Sequence, residues 1–103
     1  MTSRLGISAR LEELRERVTE GPGELSRSTR RAAATGQPVP GAAQAYTDKV
    51  RRHAYKVTDR DVEDLKAAGW SEDEIFELTI AIAMGEGLSR VEHARRVIGE
   101  VRH

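Results

Sequence analysis

The sequence predicts an all-α protein, a small bundle of about five helices. Three observations support this fold class: apolar residues recur at helical spacings, helix-capping patterns precede two segments, and glycine or proline separates the segments. The chain has 103 residues, which suits one small domain. We therefore expect a single domain over residues 1–103, with an N-terminal helical arm at 1–40 and a helical core at 41–103.

Two helices are predicted in the arm. Ser8 is a candidate N-cap for a helix over residues 9–20, which a Gly-Pro-Gly sequence ends. One face of this helix carries apolar residues at spacings of three and four: Leu11, Leu14 and Val18. A second helix is predicted over residues 24–34, with Gly36 after it as a C-terminal stop. Its apolar face is weak, because most of its side chains are polar.

The next two helices follow a proline-containing corner at residues 35–41. A third helix is predicted over residues 42–57. Thr58 then opens a fourth helix, with Asp61 three residues later in the position of a capping-box carboxylate. Gly69 closes this helix, and we expect the following tryptophan to pack as an apolar plug across the junction.

The fifth helix is the most informative segment. Ser71 and Glu74 form an S-x-x-E capping box directly before a run of mostly apolar residues that covers nearly the whole helix circumference. A helix that is apolar all round is buried all round. Since so small a subunit can hardly enclose it, we expect a homo-oligomer, a dimer or larger, that assembles through the Ile75–Met84 helix. A separate partner protein is the alternative occupant.

Beyond this run the apolar pattern narrows to one stripe. Its members are Leu88, Val91, Ala94, Ile98 and Val101. Gly85 and Gly87 precede the stripe, and each costs roughly 1 kcal/mol relative to alanine inside a helix. Such glycines either allow close helix approach or mark a kink, and the sequence leaves both interpretations open.

Composition excludes several classes of function. The chain has no cysteine, so it has no disulfide, thiolate metal site or thiol redox chemistry of its own. Residues 1–56 carry eleven Lys or Arg against six acidic residues, and residues 57–103 carry six against eleven. Neither half has a basic stripe with interleaved aromatics, which argues against nucleic acid as a partner. With no apolar run near the roughly 20 residues that span a bilayer and no secretory signal pattern, we expect a cytoplasmic protein with no membrane partner.

Residues 46–84 carry a family resemblance. The segment KVTDRDVEDLKAAGWSEDEI, with its paired Thr and Ser caps around A-A-G-aromatic, resembles the C-terminal helical part of the carboxymuconolactone decarboxylase and alkylhydroperoxidase-D-like superfamily. The match covers about half of the chain. It implies an all-α fold and obligate dimers or trimers.

The resemblance does not carry over the redox site. Peroxidase-like members of that superfamily have a Cys-x-x-Cys pair, with an associated histidine and glutamate, at the start of an earlier helix. The corresponding helix here would be residues 24–34, which contain neither cysteine nor histidine, or it is missing altogether. Its serines are no substitute, because an alcohol does not cycle through a disulfide. We therefore expect no thiol peroxidase activity and no cofactor. The decarboxylase branch uses acid–base chemistry, but its site residues have no motif-level match here.

Four side chains are the weak candidates for a catalytic site. His53 and Tyr55 lie in RRHAYK, where a histidine between cationic neighbours suits a general base or an anion-binding group. The alternative is a histidine that satisfies helix-end carbonyls or packs at a subunit contact. Glu77 and Glu86 lie in and just after the apolar run, where burial would raise a carboxylate pKa. Their alternative is an edge position or a pair with an arginine of a neighbouring helix.

Histidines do not predict a metal site. His93 follows Glu86 and Arg90 along one broad helix face, and His53 is distant in sequence. The histidines therefore lack the local spacing of metal ligands.

Two functional hypotheses follow from the sequence. The leading one is a non-redox, oligomeric structural or interaction protein. The alternative is a cysteine-independent acid–base enzyme, decarboxylase- or isomerase-like, that acts on a small anionic substrate at a site between subunits. The enzyme hypothesis predicts a cleft where His53 and Tyr55 converge with Glu77 or Glu86.

Overall fold

The structure is a computed structural model that describes the backbone of residues 2–102 and the side chains of residues 9–99. Within these residues the fold is all-α, with five α-helices and one short 3₁₀ helix, as predicted. The helices are α1 (Thr2–Glu20), α2 (Arg27–Thr35), α3 (Ala43–His53), the 3₁₀ helix (Ala54–Lys56), α4 (Asp59–Ala67) and α5 (Glu72–Arg102).

Helix α5 organises the bundle. Its 31 residues span about 46 Å, close to the longest dimension of the molecule, 52 Å. The other four α-helices pack against it, and its buried face meets theirs in one apolar core. The buried core residues are Leu25, Ala33, Val39, Ala43, Tyr46, Leu65, Ile75, Leu78, Ala81 and Ile82.

The first helix begins earlier than the sequence suggested. Helix α1 starts at Thr2, so Ser8 lies inside the helix and is not its N-cap. Its side chain is outside the described part of the chain. No proline interrupts residues 2–20, and a single internal serine is tolerated in a helix. The apolar face is only partly covered, since Leu14 remains 46% exposed.

Helix α2 starts three residues later than predicted. Ser26 is the N-cap, and its Oγ accepts a hydrogen bond from the backbone N–H of Thr29 at 3.2 Å. The predicted stop is confirmed: Gly36 adopts a left-handed conformation with φ of 79°, and its N–H donates to the carbonyl oxygen of Ala32. This is the position where a glycine ends a helix at least cost.

Helix α3 ends at His53, before the predicted end at residue 57. A 3₁₀ turn follows, and Val57 is extended with ψ of 129°. The reason lies downstream. Thr58 is the N-cap of α4 and is extended as well, with φ of −122° and ψ of 170°. An N-cap has non-helical dihedral angles, so the chain must leave the helix before it.

Both predicted capping boxes are confirmed. The backbone N–H of Thr58 donates to Asp61 at 2.8 Å. The second box is reciprocal: the N–H of Ser71 donates to Glu74 Oε1 at 2.9 Å, and the N–H of Glu74 donates to Ser71 Oγ at 3.1 Å. Trp70 lies between the two helices and packs, partly buried, against the core, as expected for a plug at this junction.

The expectation that residues 75–84 are buried on all sides is not met within one subunit. Leu78 and Ile82 are fully buried, but Phe76 is 65% exposed and Ile80 is 40% exposed. The four helices packed against α5 cover only one side of it. The apolar circumference was therefore identified correctly from the sequence, and the single chain leaves half of it open.

The structure also answers the question about the two mid-helix glycines. Helix α5 is uninterrupted through both. A Cβ atom at Gly85 would overlap the carbonyl oxygen of Ala34, at the C-terminal end of α2, whereas a Cβ at Gly87 would meet nothing within 4 Å. Gly85 thus serves close approach of two helices.

Candidate functional site

The first pair of predicted site residues lies at the end of α3. His53 is the residue that leaves the helix, with φ of −145° and ψ of 58°. Its ring meets that of Tyr55 edge to face, with centroids 5.9 Å apart and planes at 86°. Tyr55 is 80% exposed, and Lys56 Nζ lies 5.8 Å from the centroid of its ring. The pair forms a cationic and aromatic patch on the surface of the subunit.

An arginine beside this pair already has a structural role. The Nη2 atom of Arg51 donates to the carbonyl oxygen of Ala33 at 3.0 Å. A cation at this point satisfies an end carbonyl of α2 and interacts favourably with its dipole. Arg51 of α3 therefore caps the C-terminal end of α2.

Glu77 holds the loop before α2 against α5. Its Oε2 atom accepts a hydrogen bond from the backbone N–H of Glu24 at 3.0 Å. A Cβ atom at Gly23 would overlap Glu77 Oε1 and would lie 3.5 Å from Cζ of Arg30. Glu77 is half-buried, and its described partner is the backbone N–H of Glu24 rather than an arginine of a neighbouring helix.

Glu86 lines a cavity between α1, α2, α3 and α5. The cavity has a volume of about 300 Å³ and opens to solvent. Charges of both signs line it: Arg15 and Arg51 face Glu86 and Glu92. Arg15 Nη2 lies 3.7 Å from Glu92 Oε1. This is a polar cleft whose charges are largely compensated within the subunit.

The four candidates thus occupy three places in one subunit. His53 and Tyr55 contact each other at the end of α3, Glu77 lies beside the loop before α2, and Glu86 lines the cavity. Neither His53 nor Tyr55 lines the cavity that contains Glu86. The first two are brought together as their sequence spacing suggests, whereas the two glutamates lie elsewhere.

Arg30 is the residue that the sequence did not single out. It is only 4% exposed, an unusual environment for an arginine. Its Nε donates to the carbonyl oxygen of Leu25 and its Nη1 to that of Val18, each at 3.1 Å. The side chain therefore joins the last turn of α1 to the loop before α2. Its surroundings in the sequence, RSTRR, are polar and give no signal of burial.

A second cleft lies between α3 and α4 and contains the ion pair whose side chains are the least exposed among those of the described residues. Lys49 Nζ donates to both carboxylate oxygens of Asp61 at 3.0 Å. The cleft has a volume of about 240 Å³. The backbone N–H of Thr58 and, after it, Lys49 lower the pKa of Asp61 below its ordinary value. The same carboxylate thus caps α4 and ties it to α3.

This lowered pKa gives a testable pH dependence. A carboxylate with a lower pKa in the folded state stabilises the fold above its unfolded-state pKa, and the contribution disappears as pH falls through the folded pKa. We expect wild-type stability to fall below about pH 4, and Asp61→Asn to flatten this fall while lowering stability at neutral pH. Urea denaturation across the acid range measures both effects. Glu63→Gln, at an exposed position of α4, is the control and is expected to leave the acid limb unchanged.

One face of α5 exposes an apolar row of residues. Seven residues on one face of α5, which we call the α5 stripe, are all exposed: Phe76, Ile80, Ala83, Gly87, Val91, Ala94 and Ile98. They lie at spacings of three and four over 23 residues, or about 33 Å of helix axis. A continuous exposed apolar face of this length marks a surface that binds another apolar surface.

Within the described residues, no group of three or more His, Asp or Glu side chains is arranged to hold a metal ion. Over the same part of the chain, no helix is both long enough and apolar enough to cross a membrane. No protein-family model, curated protein or solved structure matches the chain.

Proposed function

We propose that this chain is a cytoplasmic, non-redox structural or interaction protein that acts as a homo-oligomer, and that it is a cysteine-free relative of the carboxymuconolactone decarboxylase and alkylhydroperoxidase-D-like proteins. The α5 stripe carries the proposal of self-association. It leaves Phe76 and Ile80 exposed beside a core in which Leu78 and Ile82 are fully buried. Burial of such side chains contributes roughly 1.5–3 kcal/mol each.

The proposed kinship is supported by local structure alone. The segment that carries the resemblance folds as a short helix between two capping boxes, at Thr58 and at Ser71. Because the chain has no cysteine, it has no thiol redox site of its own. Within one subunit, the side chains that an acid–base enzyme would need lie in three separate places.

The experiment that tests self-association is sedimentation of the purified chain at micromolar concentration, with and without a charge in the stripe. We expect the wild type to sediment as a dimer or larger. Ala83→Glu places an unpaired carboxylate in the contact and is expected to weaken association about 100-fold or more. The control is Ala45→Glu, which adds the same charge at an exposed position of α3 and is expected to leave the oligomer intact.

A wild-type chain that sediments as a folded monomer at this concentration would refute the proposal. Equal association of the two glutamate variants would show instead that the oligomer forms through another face. Circular dichroism of each variant shows whether the subunit itself remains folded.

A further inference from the structure

The α5 stripe has a mirror order around Gly87. Residues at equal distances on either side of this glycine form three pairs, with separations of 11, 7 and 4 residues from it: Phe76 with Ile98, Ile80 with Ala94, and Ala83 with Val91. All of these side chains are exposed. Side chains at equal distances from a central residue meet each other when two copies of a helix pack in opposite directions about a two-fold axis.

We propose that two copies of this chain pack through the α5 stripe as an antiparallel helix pair, with the two-fold axis at Gly87. The inference rests on the self-association proposed above and adds the geometry of the contact. A second copy of the chain is the partner. Two independent features favour the antiparallel direction, and a third favours a long contact between straight helices.

The first feature is steric. Two straight helices that cross at an angle are closest at the crossing point and diverge on both sides. In the antiparallel arrangement the combined size of the facing side chains increases as the distance between the helices increases. From the centre outward, the facing pairs are Gly–Gly, Ala–Val, Ile–Ala and Phe–Ile. Gly87 is suited to the crossing point, because it has no side chain and a Cβ there would meet nothing in its own subunit. A parallel pair would instead place Ile80 against Ile80 and Ala94 against Ala94, which leaves the gap uneven.

The second feature is charge. Residues 72–86 contain five acidic residues and no Lys or Arg, whereas residues 87–102 contain four arginines and two glutamates. Glu77 and Glu86 face their own subunit, so the acidic residues beside the stripe are Glu72 and Asp73, next to Phe76. An antiparallel pair brings the acidic half of each helix beside the basic half of its partner. A parallel pair would align Glu72 and Asp73 of the two copies, with like charges opposed at that end of the contact. Opposite helix directions also oppose the two helix dipoles favourably.

The third feature is the period of the stripe. Phe76, Gly87 and Ile98 are 11 residues apart. An 11-residue repeat corresponds to 3.67 residues per turn, close to the 3.6 of a straight α-helix. The stripe therefore stays on one side of α5 along its whole length, without requiring the helix to supercoil strongly.

The end of the contact is shaped to receive apolar side chains. A shallow groove of about 430 Å³ lies between α4 and α5 beside Phe76, and Val62 and Ile75 contribute to its lining. Glu72 and Asp73 also line it. In the antiparallel pair this groove lies next to Ile98 and Arg95 of the second copy. The apolar lining would then contact the isoleucine, and the acidic lining would face the arginine.

Disulfide trapping tests the orientation directly, because the chain has no cysteine of its own. Ala83→Cys and Val91→Cys are each prepared alone and as an equimolar mixture, and oxidised with oxidised glutathione. In an antiparallel pair, the thiol at position 83 of one copy faces the thiol at position 91 of the other, and this combination exists only in the mixture. In a dimer of either variant alone, the two identical thiols are eight residues, or about 12 Å, apart along the helix axis. Disulfides require Cα atoms within about 7 Å. We expect the mixture to form mixed disulfides at least about tenfold faster than either variant alone.

Intact-mass spectrometry identifies the mixed disulfide. The rate at which Ala45→Cys forms disulfides gives the background that arises from random collision. Ile80→Cys mixed with Ala94→Cys provides a second pair, should one of the first variants fold poorly. Self-linking of Ala83→Cys would establish a parallel contact and overturn the inference while leaving self-association intact. If the variants sediment as dimers but form no disulfide in any combination, the contact lies elsewhere on the subunit. This result would also overturn the inference and leave self-association intact. A folded monomer without links would overturn both proposals.

Discussion

Replacing Gly85 with alanine is expected to destabilise the fold by about 1–3 kcal/mol, although alanine is the better helix former. The added Cβ atom would overlap the carbonyl oxygen of Ala34 and would also approach its carbonyl carbon and Cα. These are backbone atoms of α2, so no side-chain rotation can relieve the overlap. The C-terminal end of α2 must move away from α5, which loosens the packing of buried Ala33 in the core.

Urea denaturation followed by circular dichroism measures this effect, at one fixed protein concentration because the proposed self-association would stabilise the folded state. Gly99→Ala is the matched control. It makes the same substitution in the same helix, at a position where the new atom would meet nothing within 4 Å. Helix propensity then dominates, and the control is expected to gain up to about 1 kcal/mol. Two variants of equal stability would show that α2 does not approach α5 as closely as described.

Local chemistry explains why some helix boundaries were predictable. The capping boxes at Thr58 and Ser71 and the stop at Gly36 each depend on hydrogen bonds between residues at most four positions apart. Such patterns can be recognised without knowledge of the rest of the fold. The early start of α1 at Thr2 could not be recognised in this way, because Thr2, Ser3 and Ser8 are all residue types that suit an N-cap, and the sequence does not distinguish among them.

Burial depends on what lies opposite a residue, and sequence periodicity does not contain that information. The apolar circumference of α5 was predictable, but the side that the subunit leaves open was not. Phe76 and Ile75 are adjacent and equally apolar in type, yet their exposed fractions are 65% and 5%. The same reasoning applies to the candidate site. The contact between His53 and Tyr55 is local, whereas the association of Glu77 with the Gly23 loop joins positions 53 residues apart.

Arg30→Ala is the second substitution with a large expected effect, a loss of about 2–4 kcal/mol. The guanidinium is buried at 4% exposure and donates to the carbonyl oxygens of Val18 and Leu25. Alanine would leave both acceptors without this donor, and each unsatisfied buried group costs about 1–3 kcal/mol. The volume of the lost side chain would add to the cost. Thermal or urea denaturation measures the change.

A variant of the neighbouring arginine is the control, because it shows how much stability is lost when any positive charge is removed from α2. Arg31 is exposed and donates from Nε to Glu20 Oε1 at 2.9 Å, and surface pairs of this kind contribute about 0–1 kcal/mol. Arg31→Ala is therefore expected to lose no more than that. Arg30→Lys is expected to fall between the two, because a compact ammonium lacks the planar fork that serves two carbonyls at once. If Arg30→Ala and Arg31→Ala proved equally mild, the buried guanidinium would not be what joins the end of α1 to the start of α2.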